Sequence, residues 1–264
     1  MEKRHAQKRK IAFTKAMGII TLCLGATALI IATIYGSQIP AFIGLGLTFW
    51  GIILIYIKTE EYVKKALLNA IALPSLVTLN QLMEELDYNG KAIYLPPKYL
   101  TDPESSKAYI LKNMEEKIPT PEQIQAKEKA LFHENVQGLL LTPPGSELSK
   151  LFEKILETSF TRTNLQYLQQ NMPKLFIEDL EIAQNVEINA EDSKIHVIIE
   201  KPAYINLTIE TSNLSRLYTS LGCPMSSAIA CALAKATGKP IIIENQQINK
   251  DKAIGIIYRI MEGT

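Results

Sequence analysis

The chain has 264 residues, 47% of them hydrophobic and 21% charged, with a formal net charge of +1. That length suits one domain of ordinary size plus an additional element. From Lys58 onward 22 basic residues face 26 acidic ones, and a mildly acidic remainder argues against a nucleic-acid-binding domain, which carries a basic stripe.

The bases that offset this acidity gather at the start. Lys3, Arg4, Lys8, Arg9, Lys10 and Lys15 precede Met17, against the single acid Glu2. Residues 1–16 therefore read as a basic cytoplasmic N-terminus. Two uncharged apolar runs follow, "MGIITLCLGATALIIATIY" at 17–35 and "AFIGLGLTFWGIILIYI" at 41–57. Each reaches the roughly 17–25 residues that cross a bilayer core. Between them "GSQIP" holds Gly36 and Pro40 and reads as a tight turn. Residues 17–57 thus predict a transmembrane helical hairpin, with the lipid bilayer as its partner.

A signal peptide also has a basic lead, but this apolar run is longer than a signal core and a second span follows at once. Lys58, Lys64 and Lys65 follow the second span and the turn carries no base. The positive-inside bias then predicts a multi-pass protein of the cell membrane with both termini in the cytoplasm. Thr21 and Gly25, Ala28 and Ala32, and Gly44 and Thr48 are small pairs four apart, which allow close helix approach within one chain or between copies. Neither span holds an ionisable residue, the usual mark of an ion or proton pathway. The hairpin reads as an anchor.

Residues 58–264 predict a cytoplasmic α+β domain. Leu67, Leu68, Ile71, Leu76, Leu79, Leu82 and Met83 keep a helical stripe, divided or kinked by Pro74. "KAIYLPPKYL" is a strand candidate ended by Pro96 and Pro97, and "KAYILKNM" is a second. Residues 117–135 form a charged, proline-punctuated connection with room for one helical turn. "GLLLTPPG" at 138–145 is a strand and turn, and Ser146 opens a helix striped by Leu148, Leu151, Phe152, Ile155 and Leu156.

A second helix begins at Asn164, carries Leu165, Leu168, Met172, Leu175 and Phe176, and holds Pro173 at a fresh turn. The period then becomes two. Val186 and Ile188, then Ile195, Val197 and Ile199 after an "AEDS" turn, predict a hairpin with one buried face, His196 lying on the other. Residues 203–221 are ambiguous between a crossing segment and a short helix. A helix and a terminal hairpin turned at Asn249–Lys252 complete the chain. The expected fold is helices packed on a largely antiparallel sheet.

"IYLP" at 93–96, "GLLLTPPG", "LFEKIL" at 151–156, and Tyr218 followed by "CPMSSAIACALAKATGKPIII" resemble an archaeal, haloarchaeal-type family of two-span membrane proteins whose soluble domain has no assigned function. Where that family's last block is expected to hold histidine before proline, this chain has Cys223. The same block is similar to the C-terminal part of vinyl-4-reductase-type domains, which implies binding of a small or hydrophobic ligand; the later cysteines found there are absent.

Cys223 is the candidate nucleophile. As an N-cap before Pro224 it would feel the helix dipole, which lowers a thiol pKa. A catalytic thiol also needs a base, and His133 and His196 fall in a connection and a strand. Cysteines of this kind are more often small buried hydrophobes. Ser226, Ser227 and Ala230, with Cys223 and Tyr218, are candidates to frame a ligand cavity; close packing of a short-sided helix is the competing reading. Lys150, Lys154 and Arg162 interleave with Glu147, Glu153 and Glu157, which suits a solvated helix face.

Cys223 and Cys231 are eight apart on one helix, about 12 Å of rise, too far for a disulfide or a shared metal. No metal-ligand spacing is evident and no cofactor is expected. The resulting expectation is a membrane-anchored, non-catalytic domain that binds a protein partner or a small molecule. A thiol enzyme built on Cys223 and a membrane-assembly subunit that oligomerises through its hairpin are the alternatives.

Overall fold

The structure, a computed structural model, describes residues 2–56, 65–112, 119–127, 138–249 and 251–262, the side chains of 2–15, 65, 66, 68 and 69 excepted. The chain divides into two compact units, Met1–Lys64 and Lys65–Thr264. His133 lies outside the described residues.

The first unit is a helical hairpin of α1 (Glu2–Tyr35) and α2 (Gln38–Tyr56). Its turn is shorter than the five residues expected from "GSQIP". Only Gly36, at φ +63°, and Ser37 separate the helices. Gln38, Ile39 and Pro40 form the first turn of α2, where proline costs little because that turn's N–H groups have no helical acceptor.

The helices meet along a seam of small residues. Gly18, Gly25 and Ala32 on α1 and Gly44 and Gly51 on α2 are buried, each seven apart from the next on its helix. A seven-residue period keeps one face toward the partner. A Cβ built on Gly25 would stand 2.5 Å from Thr48 Oγ1, and one on Gly51 would stand 2.7 Å from the Leu22 nitrogen. The small pairs therefore close the hairpin within one chain. Thr21 and Thr48 donate their hydroxyls to Met17 and Gly44 carbonyls at 2.8 and 2.7 Å, which leaves no bare hydroxyl in an apolar setting. Ile30, Phe42, Leu45, Phe49 and Trp50 point outward, the last two rings meeting edge to face. Both helices are long and apolar enough to cross a membrane.

The second unit opens with α3 (Lys65–Glu85), which runs through Pro74. β1 (Ala92–Tyr94), β2 (Ala108–Leu111), α4 (Pro121–Lys127) and β3 (Gly138–Leu141) follow, then α5 (Ser146–Ile155) and α6 (Leu165–Lys174). After a single π turn at Leu175–Asp179 come β4 (Asn185–Glu191) and β5 (Lys194–Glu200). The ambiguous stretch is two short helices, α7 (Ile205–Ser212) and α8 (Ser215–Leu221); α9 (Pro224–Thr237), β6 (Ile241–Ile248) and β7 (Ile254–Ile260) end the fold.

The seven strands form one sheet in the order β3-β2-β1-β6-β7-β5-β4. Every pairing is antiparallel. The fold is α+β, helices on an antiparallel sheet, as the period changes predicted. Tyr94, Ile110, Val197, Ile199, Ile256 and Tyr258 face a single large core shared with α5, α6 and α9. A smaller cluster of Ile93, Leu95, Tyr99, Tyr109, Ile124 and Ile242 covers the opposite face.

α9 is the centre of the large core. Eleven of its residues, Met225 through Lys235, are buried. An 18-residue window within Ser215–Thr237 has a span-like mean hydropathy of 1.3, yet 83% of that window is buried inside the structure. Its apolar character is used against the sheet. Short side chains let neighbours come very near: a Cβ on Gly145 would lie 2.0 Å from the Ala228 nitrogen.

Candidate functional site

The start of α9 is built as the local sequence predicts. Cys223 is the N-cap at φ −77°, ψ 164°, Pro224 takes the first helical position, and Gly238 caps the far end at φ +63°. The Cys223 sulfur accepts from the Ser226 N–H at 3.5 Å, and the Ser226 hydroxyl donates to the Cys223 carbonyl at 2.9 Å. Ser227 Oγ accepts from the Gly145 N–H at 3.0 Å. The Tyr258 hydroxyl donates to the Ser226 carbonyl at 3.0 Å, and that of Tyr94 to the Leu221 carbonyl at 2.6 Å. Cys223 is 1% exposed, and Ser226, Ser227 and Ala230 are fully buried. At these four positions the short side chains are spent on packing and on anchoring backbone.

Burial dominates the ionisation of this region. It pushes the Tyr94, Tyr204 and Tyr258 phenols well above their ordinary value of 10.0 and the Cys231 thiol up to about 12. These groups stay neutral near pH 7. A nucleophile at Cys223 would need a base, and His196 is not placed to be one. Ile195 and Val197 point into the core that holds α9, so by strand alternation His196 faces away from it. Among the described residues no three His, Cys, Asp or Glu side chains gather to hold a metal.

Tyr218 is placed differently from the other four candidates. It lines a notch of about 240 Å³ together with Lys91, Thr219, Ile243, Glu244, Asn245 and Gln246. The notch exists because two strands differ in length. β1 pairs with β6 only at Ile93–Ile242 and Tyr94–Ile241, whereas β6 continues to Ile248. A bulge between Ile243 and Asn245 resets the register just past that point. Lys91, immediately before β1, crosses the gap and donates its ammonium to the Ile243 carbonyl at 3.0 Å and to the Glu244 carbonyl.

The bulge also turns Gln246 toward the helices, opposite the core residue Ile256. Both ends of its amide are buried; neither makes a well-formed hydrogen bond, and the Tyr218 phenol oxygen is the polar atom beside it. A buried amide without partners costs about 1–3 kcal/mol, so such a group calls for an explanation. Gly222, at φ +71°, leaves it room: a Cβ there would meet Gln246 Oε1 at 2.9 Å and Ser226 Oγ at 2.4 Å. Burial raises the Tyr218 phenol to about 12, and the nearby Gln246 amide opposes the shift.

The charges beside the notch are unbalanced. Glu244 pairs with Lys194 at 2.9 Å, and this contact, ahead of the fields of Arg259 and Lys91, holds its carboxyl below the usual range. Lys91 rests on two carbonyls, and burial first, then the field of Arg259, lowers its pKa against the opposing pull of Glu244. The Arg259 Nε is buried without a partner.

Sequence reasoning singled out Tyr218 but passed over Lys91, Glu244, Gln246 and Arg259. The available signal was "ENQQ" inside a strand that opens with three isoleucines, since polar residues at core-facing register need a reason. The bulge that aims Gln246 inward has no sequence signature of its own.

Residues 1–259 match a family model described as a domain of unknown function, DUF7982. No curated protein matches the chain. No solved structure matches it either.

Proposed function

The chain belongs to the DUF7982 family, and from that premise we propose a membrane-anchored, non-catalytic domain that binds a small molecule at the notch beside β6. The observation that carries this reading is the Gln246 amide, buried at both ends, with only the Tyr218 hydroxyl beside it, and lining a cavity open to solvent. Convergent polar groups in a concavity are the usual marks of a ligand site. Tyr218, Thr219 and Lys91 supply further donors there.

Anchoring rests on the outward isoleucines and aromatics of the hairpin, which suit a lipid surrounding. The basic residues Lys3 to Lys15 ahead of the first apolar run, and Lys58, Lys64 and Lys65 after the second, support a cytoplasmic location for both termini and for the sensing domain. The likeness of the Gly222–Ile243 block to vinyl-4-reductase-type domains and the archaeal two-span resemblance favour the same reading. A thiol enzyme is less well supported, because Cys223 is enclosed and its sulfur is used as a cap.

The test is native purification of the full chain in mild detergent, followed by mass spectrometry of what remains bound. A stoichiometric small molecule, released by Gln246→Leu, is the expected result. A bare chain that also fails to bind any member of a metabolite panel would refute the reading.

A further inference from the structure

We infer that the notch is a site for a small organic anion, a carboxylate carrying an adjacent hydroxyl or amino group. The inference rests on the ligand-binding reading above and deepens it. Size comes first. At about 240 Å³ the notch has room for about eight water molecules at roughly 30 Å³ each. A molecule, or a ligand group, of few carbons fits a notch of this size.

Charge decides the class. Three cations, Lys91, Lys194 and Arg259, stand around one carboxylate, Glu244. Lys194 is taken by that carboxylate at 2.9 Å. The Lys91 ammonium has three N–H donors, of which two are used on the Ile243 and Glu244 carbonyls. The third has no acceptor among the described hydrogen bonds; Arg259, beside core-facing Tyr258, lies on the other face of the sheet and adds only its field. Carbonyls orient the ammonium without neutralising it, so positive charge is left over at a half-enclosed site, where an anion gains more than in water.

Hydrogen bonding decides the rest. The Gln246 Nε2, beside the Tyr218 phenol, has an N–H to donate to a carboxylate oxygen, and its Oε1, without a well-formed bond, accepts a donor from the ligand. A bare carboxylate leaves Oε1 unsatisfied; a neighbouring hydroxyl or amino group fills it. Tyr218 and Thr219 close the wall with hydroxyls that donate or accept.

The experiment uses the full chain in mild detergent and measures binding by titration calorimetry. The probes are 2-hydroxy and 2-amino carboxylates of two to six carbons, matched with the neutral 2-hydroxy amides of the same carbon skeletons. Saturable binding of at least one carboxylate, at least tenfold tighter than its amide, is expected. Lys91→Met and Gln246→Leu should each weaken it tenfold or more, Lys91→Arg should restore most of it, and Lys239→Met, on an exposed turn, should leave it unchanged. Because Lys91 also caps the bulge, Tyr218→Phe provides a second variant that keeps the fold.

Binding of the amides with equal affinity, still lost in Gln246→Leu, would overturn the anion class while leaving the ligand site standing. Carboxylate binding indifferent to all three positions would place the anion elsewhere and overturn this inference alone. No binding by either set, with nothing retained on purification, would overturn both.

Discussion

Lys235 of α9 and Glu153 of α5 meet at 2.9 Å with their side chains 2% and 11% exposed. Lys235 also donates to the Glu104 carbonyl at 3.2 Å, and Glu153 accepts from the Phe160 N–H at 2.8 Å. This pair ties the central helix to the turn at Phe160–Arg162. Removing one member strands a charge in the core. Lys235→Met should lower unfolding stability by about 3–5 kcal/mol, while Lys235→Met combined with Glu153→Gln should recover part of that loss. Denaturant titration of the four corners of this cycle gives the answer, and equal losses in the single and double variants would contradict it.

Gly145 and α9 make a second close contact. A methyl there would sit 2.0 Å from the Ala228 nitrogen and 2.5 Å from the Ser227 carbonyl carbon, both backbone. Gly145→Ala must push α9 away from the start of α5, at about 1–3 kcal/mol or more. Ser227→Ala removes the acceptor of the Gly145 N–H and should cost about 1–3 kcal/mol by leaving that donor buried and unmet. Thermal unfolding in detergent measures both, and a neutral Gly145→Ala would show the contact to be slack.

The hairpin offers an internal control. Gly51→Ala places a methyl 2.7 Å from the Leu22 nitrogen, whereas Gly46 has nothing within 4 Å. Gly51→Ala should widen the seam and weaken the hairpin, and Gly46→Ala should not. Thermal unfolding of the full chain in mild detergent compares the two variants. Equal loss of helix stability in both would sink the prediction.

Alkaline pH should destabilise the second unit. The Cys231 thiol is raised from 9.0 to about 12 and the Tyr218 phenol from 10.0 to about 12, both by burial first. Each group therefore keeps its proton in the folded state at a pH where the unfolded chain has lost it. The unfolded state then binds fewer protons, so stability is fully present below about pH 9 and falls as pH rises toward 12. Buried Tyr94, Tyr204 and Tyr258 shift in the same direction. Denaturant midpoints at pH 7 through 11 should decline from pH 9 upward; a flat profile would contradict the burial argument.

What could be read from the sequence was what neighbours in the chain decide. The cap at Cys223, the stop at Gly238 and the alternation of Ile195, Val197 and Ile199 are local rules, and the structure obeys them. Leu151 shows the edge of that method: it belongs to the helical stripe yet is 41% exposed, because a stripe fixes a face but not its width. Glu153 shows its failure. Three charges of each sign along one stretch suggested a solvated face, but its partner Lys235 lies 82 residues away. Tyr218 was legible as a candidate through its place in a motif. Lys91 and Gln246 were not, since their meeting depends on where β1 stops and where β6 bulges.

The two-pair contact between β1 and β6 has a mechanical consequence. On one side of it lie β3, β2 and β1, and on the other the four strands from β6 to β4. Only Ile93–Ile242 and Tyr94–Ile241 stitch these halves along the ladder. Beyond the Lys91 ammonium, α9 also joins the halves, through the Tyr94 hydroxyl just before it and the Tyr258 hydroxyl at Ser226. The helix acts as a splint across a sheet that is nearly two sheets, and the notch opens at the end of that join. Amide exchange should be fastest where the splint ends, so a molecule seated there would act as a wedge that slows the parting of the halves.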